Sequence, residues 1–421
     1  MKKRIIAVAL SLVLPLPMLF NLSGCSAAIT AHADDLMSNI RSNNVSTDID
    51  ISGEDSTAVM DFAVRMFQQS AKNGENTLIS PISIISALAM TANGAKENTL
   101  SEMENVFGLP ISKLNEYLYA YRNALPTDKK YKLNIANSIW FKDDDSFTVN
   151  QSFLQTNADW YDVDIYKAPF DKSTLKDINS WVKGKTDGMI KDILKEIPDD
   201  VVMYLVNALS FDAEWQNIYN EKQVRDGTFT KENKETKDVE LMYSTENQFL
   251  RDDSAIGFIK YYADRNYAFA ALLPNEGVSV TEYIASLTGK RLNEILSNVE
   301  GVKVKAAIPK FKFEYSVEMR EILMAMGMIN AFDYKASDFS GIGTSKNGNI
   351  SISRVLHKTY ITVDEKGTKA GAATVVEAVT ESMMEPDREQ LVYLDRPFVY
   401  MIMDCETNLP IFIGTVMDID K

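Results

Sequence analysis

The chain has 421 residues, of which 45% are hydrophobic and 24% charged, an ordinary balance for a globular protein with a sizeable core. It sets 44 Lys and Arg against 59 Asp and Glu, a formal net charge of −15, which makes nucleic acid and an anionic bilayer surface poor partners. Two cysteines, Cys25 and Cys405, and two histidines, His32 and His357, stand too far apart in sequence for a zinc site of ordinary spacing. No metal or cofactor is expected.

Lys2, Lys3 and Arg4 precede an apolar run over 5–22 that Pro15 and Pro17 interrupt. A membrane-spanning helix needs about 20 consecutive apolar residues, so 1–24 reads as a signal peptide. Its end, Leu22-Ser23-Gly24-Cys25, resembles the bacterial lipobox. That resemblance implies cleavage before Cys25 and a diacylglyceryl group on its sulfur, placing the protein outside the cytoplasm on a bacterial cell membrane, or in the medium if released. Cleavage removes three cations and no anions, so attachment to the membrane falls to the lipid alone. Lipidation also leaves Cys405 without an intrachain disulfide partner. Residues 25–54 are mostly polar, with a few large apolar side chains such as Leu36 and Ile40, and read as a tether. No Pro/Gly/Ser-rich boundary divides 55–421, which is expected to form a single domain.

In chain order, Val59, Phe62, Ala63, Met66 and Phe67 recur at helical spacing, with Ser56 placed as N-cap. Ser80-Pro81 supplies a capping serine and a proline at the first helical position, and predicts a buried helix through 82–92 that stops at Gly94. A third helix is predicted over 96–107, ending at Gly108. Leu133, Ile135, Asn137, Ile139 and Phe141 alternate as in a strand. Helical spacing returns over 177–194. Residues 201–211 are almost continuously apolar, as in a central strand covered on both faces. Further strands are predicted at 267–273, 302–313, 357–363, 392–404 and 410–416, with a helix near 316–326. Helices mixed with long strands indicate an α+β fold with more than one sheet.

The common catalytic motifs are missing. The chain has no G-x-S-x-G, H-E-x-x-H, P-loop or G-x-G-x-x-G. Two S-x-x-K matches, Ser173-Thr174-Leu175-Lys176 and Ser180-Trp181-Val182-Lys183, lack the K-T-G element that would accompany them and lie in or beside a helix. His357 is the one histidine within the domain, and no nucleophile accompanies it. No catalytic residue is assigned, and enzymatic activity is not expected.

Asp364-Glu365-Lys366-Gly367-Thr368-Lys369-Ala370-Gly371-Ala372-Ala373-Thr374 follows a strand and opens a long polar stretch. By composition alone it could be a flexible linker. It resembles the hinge of the serpin family, and other segments agree in order and spacing. These are Arg396-Pro397-Phe398 with Pro410-Ile411-Phe412-Ile413-Gly414, the helix region 76–94, Leu205-Val206-Asn207-Ala208-Leu209-Ser210-Phe211 with Trp215, and Asp338-Phe339-Ser340-Gly341-Ile342. The resemblance spans about 55–419. It implies a serpin fold, with about nine helices around three β-sheets and an exposed reactive loop. The implied function is suicide-substrate inhibition of a serine protease: the protease acylates itself on the loop, and the cleaved loop enters a sheet as a new strand.

Insertion puts demands on the hinge, here Glu365, Gly367, Thr368, Ala370, Gly371, Ala372, Ala373 and Thr374. Gly367 is expected to supply freedom at the turn. Thr368, Ala370, Ala372 and Thr374 share one strand face and are all small and uncharged, while Lys369 falls on the other. This favours an inhibitor over a non-inhibitory relative. Thr368 to Thr380 is 13 residues, spanning roughly 43 Å as a strand at about 3.3 Å per residue. The resemblance also implies a shutter of Ser80, Ser83, Asn207 and His357, where the sheet must part, and places Trp215 at the breach, where the loop first enters.

The scissile bond is left open. Counting forward from Glu365 reaches Glu381-Ser382, and counting back from Pro397 by the loop length of antitrypsin-like members reaches Pro386. The reactive-site window is therefore Thr380, Glu381, Ser382, Met383, Met384 and Glu385. Met383, Met384 or Thr380 would suit an elastase-, chymotrypsin- or subtilisin-like protease, and Glu381 a glutamate-preferring one. The expected partner is such a protease, in a covalent acyl-enzyme complex with a monomer that is also able to form loop–sheet polymers. Two rivals from other classes are a passive serpin-fold binding or storage protein and a lipoprotein hydrolase.

Overall fold

A seven-stranded sheet organises the fold of this computed structural model, which describes residues 32–43, 45–72, 74–126, 131–144, 146–346, 348–368 and 389–419. In chain order its strands are β1 (Asp34–Asp35), β2 (Tyr131–Lys142), β3 (Asp164–Ala168), β4 (Met203–Glu214), β5 (Phe311–Glu318), β6 (Arg354–Val363) and β7 (Gly367–Thr368). Across the sheet they lie β1-β3-β2-β4-β7-β6-β5. A six-stranded sheet is built around Tyr267–Pro274, Phe398–Asp404 and Pro410–Val416, and a four-stranded one around Thr236–Glu246 and Lys303–Pro309. A two-stranded ribbon and nine α-helices complete the α+β fold among the described residues.

The apolar run at the centre behaves as its composition dictates. Met203, Leu205, Leu209 and Phe211 of β4 face the main core and the six-stranded sheet. Tyr204, Val206 and Ala208, on the other face, pack with Ile178, Trp181 and Val182 of helix Lys172–Lys185. Both faces are covered, so alternation disappears from the sequence. Helix Pro81–Ala92 is buried almost throughout and carries Ser80 at its N-cap position and Pro81 at its first residue, as predicted. Its end meets the 338–342 segment closely: a Cβ at Gly341 would lie 2.7 Å from the Gly94 carbonyl oxygen and one at Gly94 2.8 Å from the Ile342 nitrogen, so both segments need glycine there.

Several boundaries differ from the sequence reading. The first helix is Glu54–Ser70 with Gly53 as N-cap, so Ser56 lies inside it. The helix expected over 177–194 is Lys172–Lys185, capped by Asp171 and closed by left-handed Asp187 and Gly188. The single strand expected over 302–313 is two strands in different sheets, broken between Pro309 and Phe311, because proline cannot donate to a ladder. Likewise 392–404 divides into Glu389–Tyr393 and Phe398–Asp404 around Arg396-Pro397. The helix expected near 316–326 shortens to Arg320–Ala325, since 316–318 belong to β5.

The described part of the expected tether lies against the domain. Asp34 and Asp35 pair with Lys167 and Tyr166 of β3, extending the main sheet at its edge. Leu36, Met37, Ile40, Ile49 and Ile51 pack on the core. Tyr119 Oη donates to the Val45 carbonyl at 3.1 Å and Tyr117 Oη to that of Ile51 at 3.0 Å. The scattered apolar residues of this stretch are its attachment points. Among the described residues no helix is long and apolar enough to cross a membrane.

Candidate functional site

The seam between β4 and β6 gathers most of the singled-out residues. The two strands pair in parallel from Arg354–Tyr204 to Thr359–Leu209, with His357 opposite Asn207. Odd-numbered β4 residues face the core, so Asn207 points its amide at helix Pro81–Ala92 and Ser83. Ser80 N–H donates to His357 Nε2 at 3.1 Å, and His357 Nδ1–H donates to Asn207 Oδ1 at 2.6 Å. The amide of Asn207 then donates to Ser83 Oγ and to Asn137 Oδ1. This chain needs the neutral imidazole with its proton on Nδ1, and burial pushes the His357 pKa down to about 3. All of Ser80, Ser83, Asn207 and His357 are fully enclosed.

Two details depart from expectation. Ser80 takes part through its backbone, and its hydroxyl is buried without a hydrogen-bond partner among the described residues. Asn137 of β2, register partner of Asn207, joins the cluster and was read only as a strand residue. A polar side chain in the apolar phase of an alternating strand was the available signal. Thr359 adds a tie across the same region, its hydroxyl donating to the Leu78 carbonyl at 2.8 Å.

Above Thr359 the seam holds a third strand. β7 lies between β4 and β6: Thr368 is the register partner of both Ala213 and Val363, and Gly367 of Glu214. Asp364 Oδ1 accepts from Lys366 N–H at 2.8 Å and from Gly367 N–H at 3.3 Å, which shapes the reversal from β6 into β7. Gly367 is not in the left-handed region. Its requirement is close approach, since a Cβ there would fall 2.0 Å from the Ala213 carbonyl oxygen. Thr368 is 1% exposed, and its hydroxyl meets that of Tyr262.

Trp215 stands directly after β4 and holds this turn. Its indole Nε1–H donates to the Asp364 carbonyl at 2.8 Å and its backbone N–H to the Lys366 carbonyl at 2.8 Å. Tyr219 N–H takes the carbonyl between them, that of Glu365, at 2.9 Å. The Glu365 carboxylate pairs with Lys310 at 3.1 Å. Trp215 stacks on Tyr262 with ring centroids 4.5 Å apart. Tyr219, Tyr262 and Lys310 come from three distant segments, and nothing local in the sequence joins them to the hinge. Ala370, Gly371, Ala372, Ala373 and Thr374, the window Thr380–Glu385, and Cys25 lie outside the described residues. Among the described residues no group of His, Cys, Asp and Glu has the arrangement of a metal site.

Comparison with known proteins places this geometry. The family model for serpin (serine protease inhibitor) matches residues 57–419. An uncharacterized serpin-like protein of Thermococcus kodakarensis is 31% identical over 86% of this chain and 85% of its own. The crystal structure of tengpin, a thermophilic serpin, in its native state is 47% identical, covers 92% of this chain and all of tengpin, and superposes with a TM-score of 0.88. Tengpin in its latent state scores 0.78 at 46% identity over 89% of this chain. A loop C-sheet serpin polymer scores 0.77 at 44% identity over 90% of this chain. The chain belongs to the serpin family, whose members are generally protease inhibitors.

Proposed function

We propose that this protein is a suicide-substrate inhibitor of elastase-, subtilisin- or chymotrypsin-like serine proteases, anchored by lipid on Cys25 to the outer face of a bacterial cell membrane. The observation that carries the reading is the position of Gly367 and Thr368 between β4 and β6, which starts the strand that the loop would complete. The residues that would share its face in a continued strand, Ala370, Ala372 and Thr374, carry neither charge nor bulk.

In this reading the target's serine Oγ attacks the scissile carbonyl within Thr380–Glu385. The peptide bond breaks, the new amine leaves with the C-terminal segment, and an ester joins the protease to the loop. The freed strand enters the seam below Thr368 faster than water hydrolyses the ester. The protease is carried to the far end of the sheet and distorted there. The active form is a monomer, and a loop–sheet polymer results when the loop of another copy is taken up instead.

The test mixes the unlipidated protein with neutrophil elastase and with subtilisin, followed by denaturing gels and sequencing of the released N-terminus. A detergent- and heat-resistant band at the summed mass, with a cut inside 380–385, is the expected result. Turnover of the loop with no such band against several protease classes would contradict the inhibitor reading and leave a non-inhibitory serpin.

A further inference from the structure

Behind the hinge anchor lies a charge pair that the loop mechanism has no evident need of. Lys260, on strand Ala255–Tyr261 of the six-stranded sheet, is 2% exposed, and its ammonium pairs with Glu246 at 3.0 Å. It also donates to the Asn217 carbonyl at 3.3 Å. The same ammonium sits 4.4 Å from the Tyr219 ring centroid and 5.4 Å from that of Trp215. Ser244 closes the cluster, its hydroxyl 3.2 Å from Tyr219 Oη and donating to Glu246 at 2.7 Å.

A buried ammonium is costly unless fully partnered, so its place in the fold carries information. Here the two rings it contacts belong to the two residues that hold three consecutive hinge carbonyls, those of Asp364, Glu365 and Lys366. Trp215 is further fixed from its other side by Tyr262, whose hydroxyl meets Thr368. Gln216 N–H donates to the Tyr261 carbonyl at 3.0 Å, so the end of β4 is tied to the strand that bears Lys260. The ammonium therefore packs on both rings; the Trp215 indole holds the Asp364 carbonyl directly, while the Lys366 and Glu365 carbonyls are held by the backbone N–H groups of the same two residues.

We propose that Lys260, paired with Glu246, is a positioning residue for loop insertion: it holds Trp215 and Tyr219 so that residues 364–368 stay at the top of the seam. The inference rests on the inhibitor reading for its functional consequence, but the positioning itself does not. Once the loop is acylated, insertion competes with hydrolysis of the ester. A hinge already in register inserts quickly. A loosened one inserts slowly and loses more inhibitor to hydrolysis for each protease trapped.

The test compares the full unlipidated protein with K260M/E246Q, which removes both charges together, and with K260R, which keeps a cation over the rings. In K260M/E246Q the stoichiometry of inhibition should rise at least about threefold, the scale of a partly buried cation–π contact, while the association rate stays unchanged because the bait residues lie far along the loop. K260R should restore most of the stoichiometry. The amide protons of Gly367 and Thr368 should exchange at least about tenfold faster in the double variant, with amides of β2 unchanged. That exchange readout needs no protease, so it decides the positioning claim even if the wild type traps nothing, a result that would count against the inhibitor reading alone. Unchanged hinge exchange in a folded K260M/E246Q would overturn the proposal, as would equal loss of protection throughout the sheet in both K260M/E246Q and K260R.

Discussion

His357 and Asn207 are register partners across the seam and are joined side chain to side chain, imidazole Nδ1–H to amide oxygen at 2.6 Å. The contact therefore spans the line along which the sheet would have to open. It is also the middle of a directed chain from Ser80 N–H to Ser83 and Asn137, in which His357 and Asn207 each both give and receive. Buried polar groups linked in this way are costly to break singly.

Replacing His357 by alanine would leave the Ser80 N–H and the Asn207 carbonyl oxygen buried without partners, at about 1–3 kcal/mol each. The variant should convert faster to loop-inserted or polymeric forms, measured as loss of monomer by size exclusion during mild heating. Ser80→Ala should behave like the wild type, because its hydroxyl has no partner to lose among the described residues. An unchanged monomer lifetime in His357→Ala would remove the shutter from the account.

The same histidine predicts a pH dependence. Its pKa falls from an ordinary 6.5 to about 3 through burial, so between these values the unfolded chain binds a proton that the folded chain does not. Stability then rises with pH through this window: the contribution is complete above about 6.5 and declines by about 1.4 kcal/mol per unit as the pH falls toward 3. Subtracting the stability curve of His357→Gln from that of the wild type isolates it from the carboxylates. A difference curve that is flat between pH 6 and 4, at about the middle of the window, would show that the imidazole is not held neutral.

Thr368 is enclosed between β4 and β6. Thr368→Arg places a charge there without a partner, at a cost of several kcal/mol. The hinge should leave the seam, and the protein should turn from inhibitor into substrate, with cleavage at the same bond and no stable adduct. Retained adduct formation at the wild-type stoichiometry would show that Thr368 need not enter the sheet.

The segment before the domain should contribute to stability. A protein that begins at residue 46 lacks β1 and the contacts of Leu36, Met37 and Ile40. Three partly buried apolar side chains and a strand pair are worth roughly 3 kcal/mol. Chemical denaturation should show that loss, with the m-value little changed. Equal stability would return the stretch to the role of a tether.

Much of this was legible from the sequence where the signal is local. Ser80-Pro81 marks the start of a helix because the fixed φ of Pro81 acts within one turn, although the Ser80 hydroxyl caps nothing among the described residues, and the apolar run of β4 identifies a strand covered on both sides. Gly367 stands out in the sequence for conformational freedom, whereas the structure requires it for its missing Cβ. Pro309 divides 302–313 into two strands, a break that alternation of side chains alone does not place. What could not be read was pairing across long distances. Asn137 meets Asn207, and Lys260 meets Tyr219 and Glu246, only once the register of two sheets is fixed. The packing of the N-terminal stretch is weakly signalled because few apolar residues mark it, and those few lie against the core.

The central claim is that the seam between β4 and β6 accepts the loop as a full strand beyond Thr368. Cutting the loop with a non-target protease and melting the product against the intact protein tests it most directly. A new central strand adds roughly 20 backbone hydrogen bonds at about 0.5 kcal/mol each, or about 10 kcal/mol, enough to raise Tm by about 10 °C or more in a domain of this length. Such a rise, with new protection of the β4 and β6 amides above Thr359, is the predicted result. A cleaved protein that melts where the intact one does would mean that the seam stays closed below Thr368, and would contradict the account.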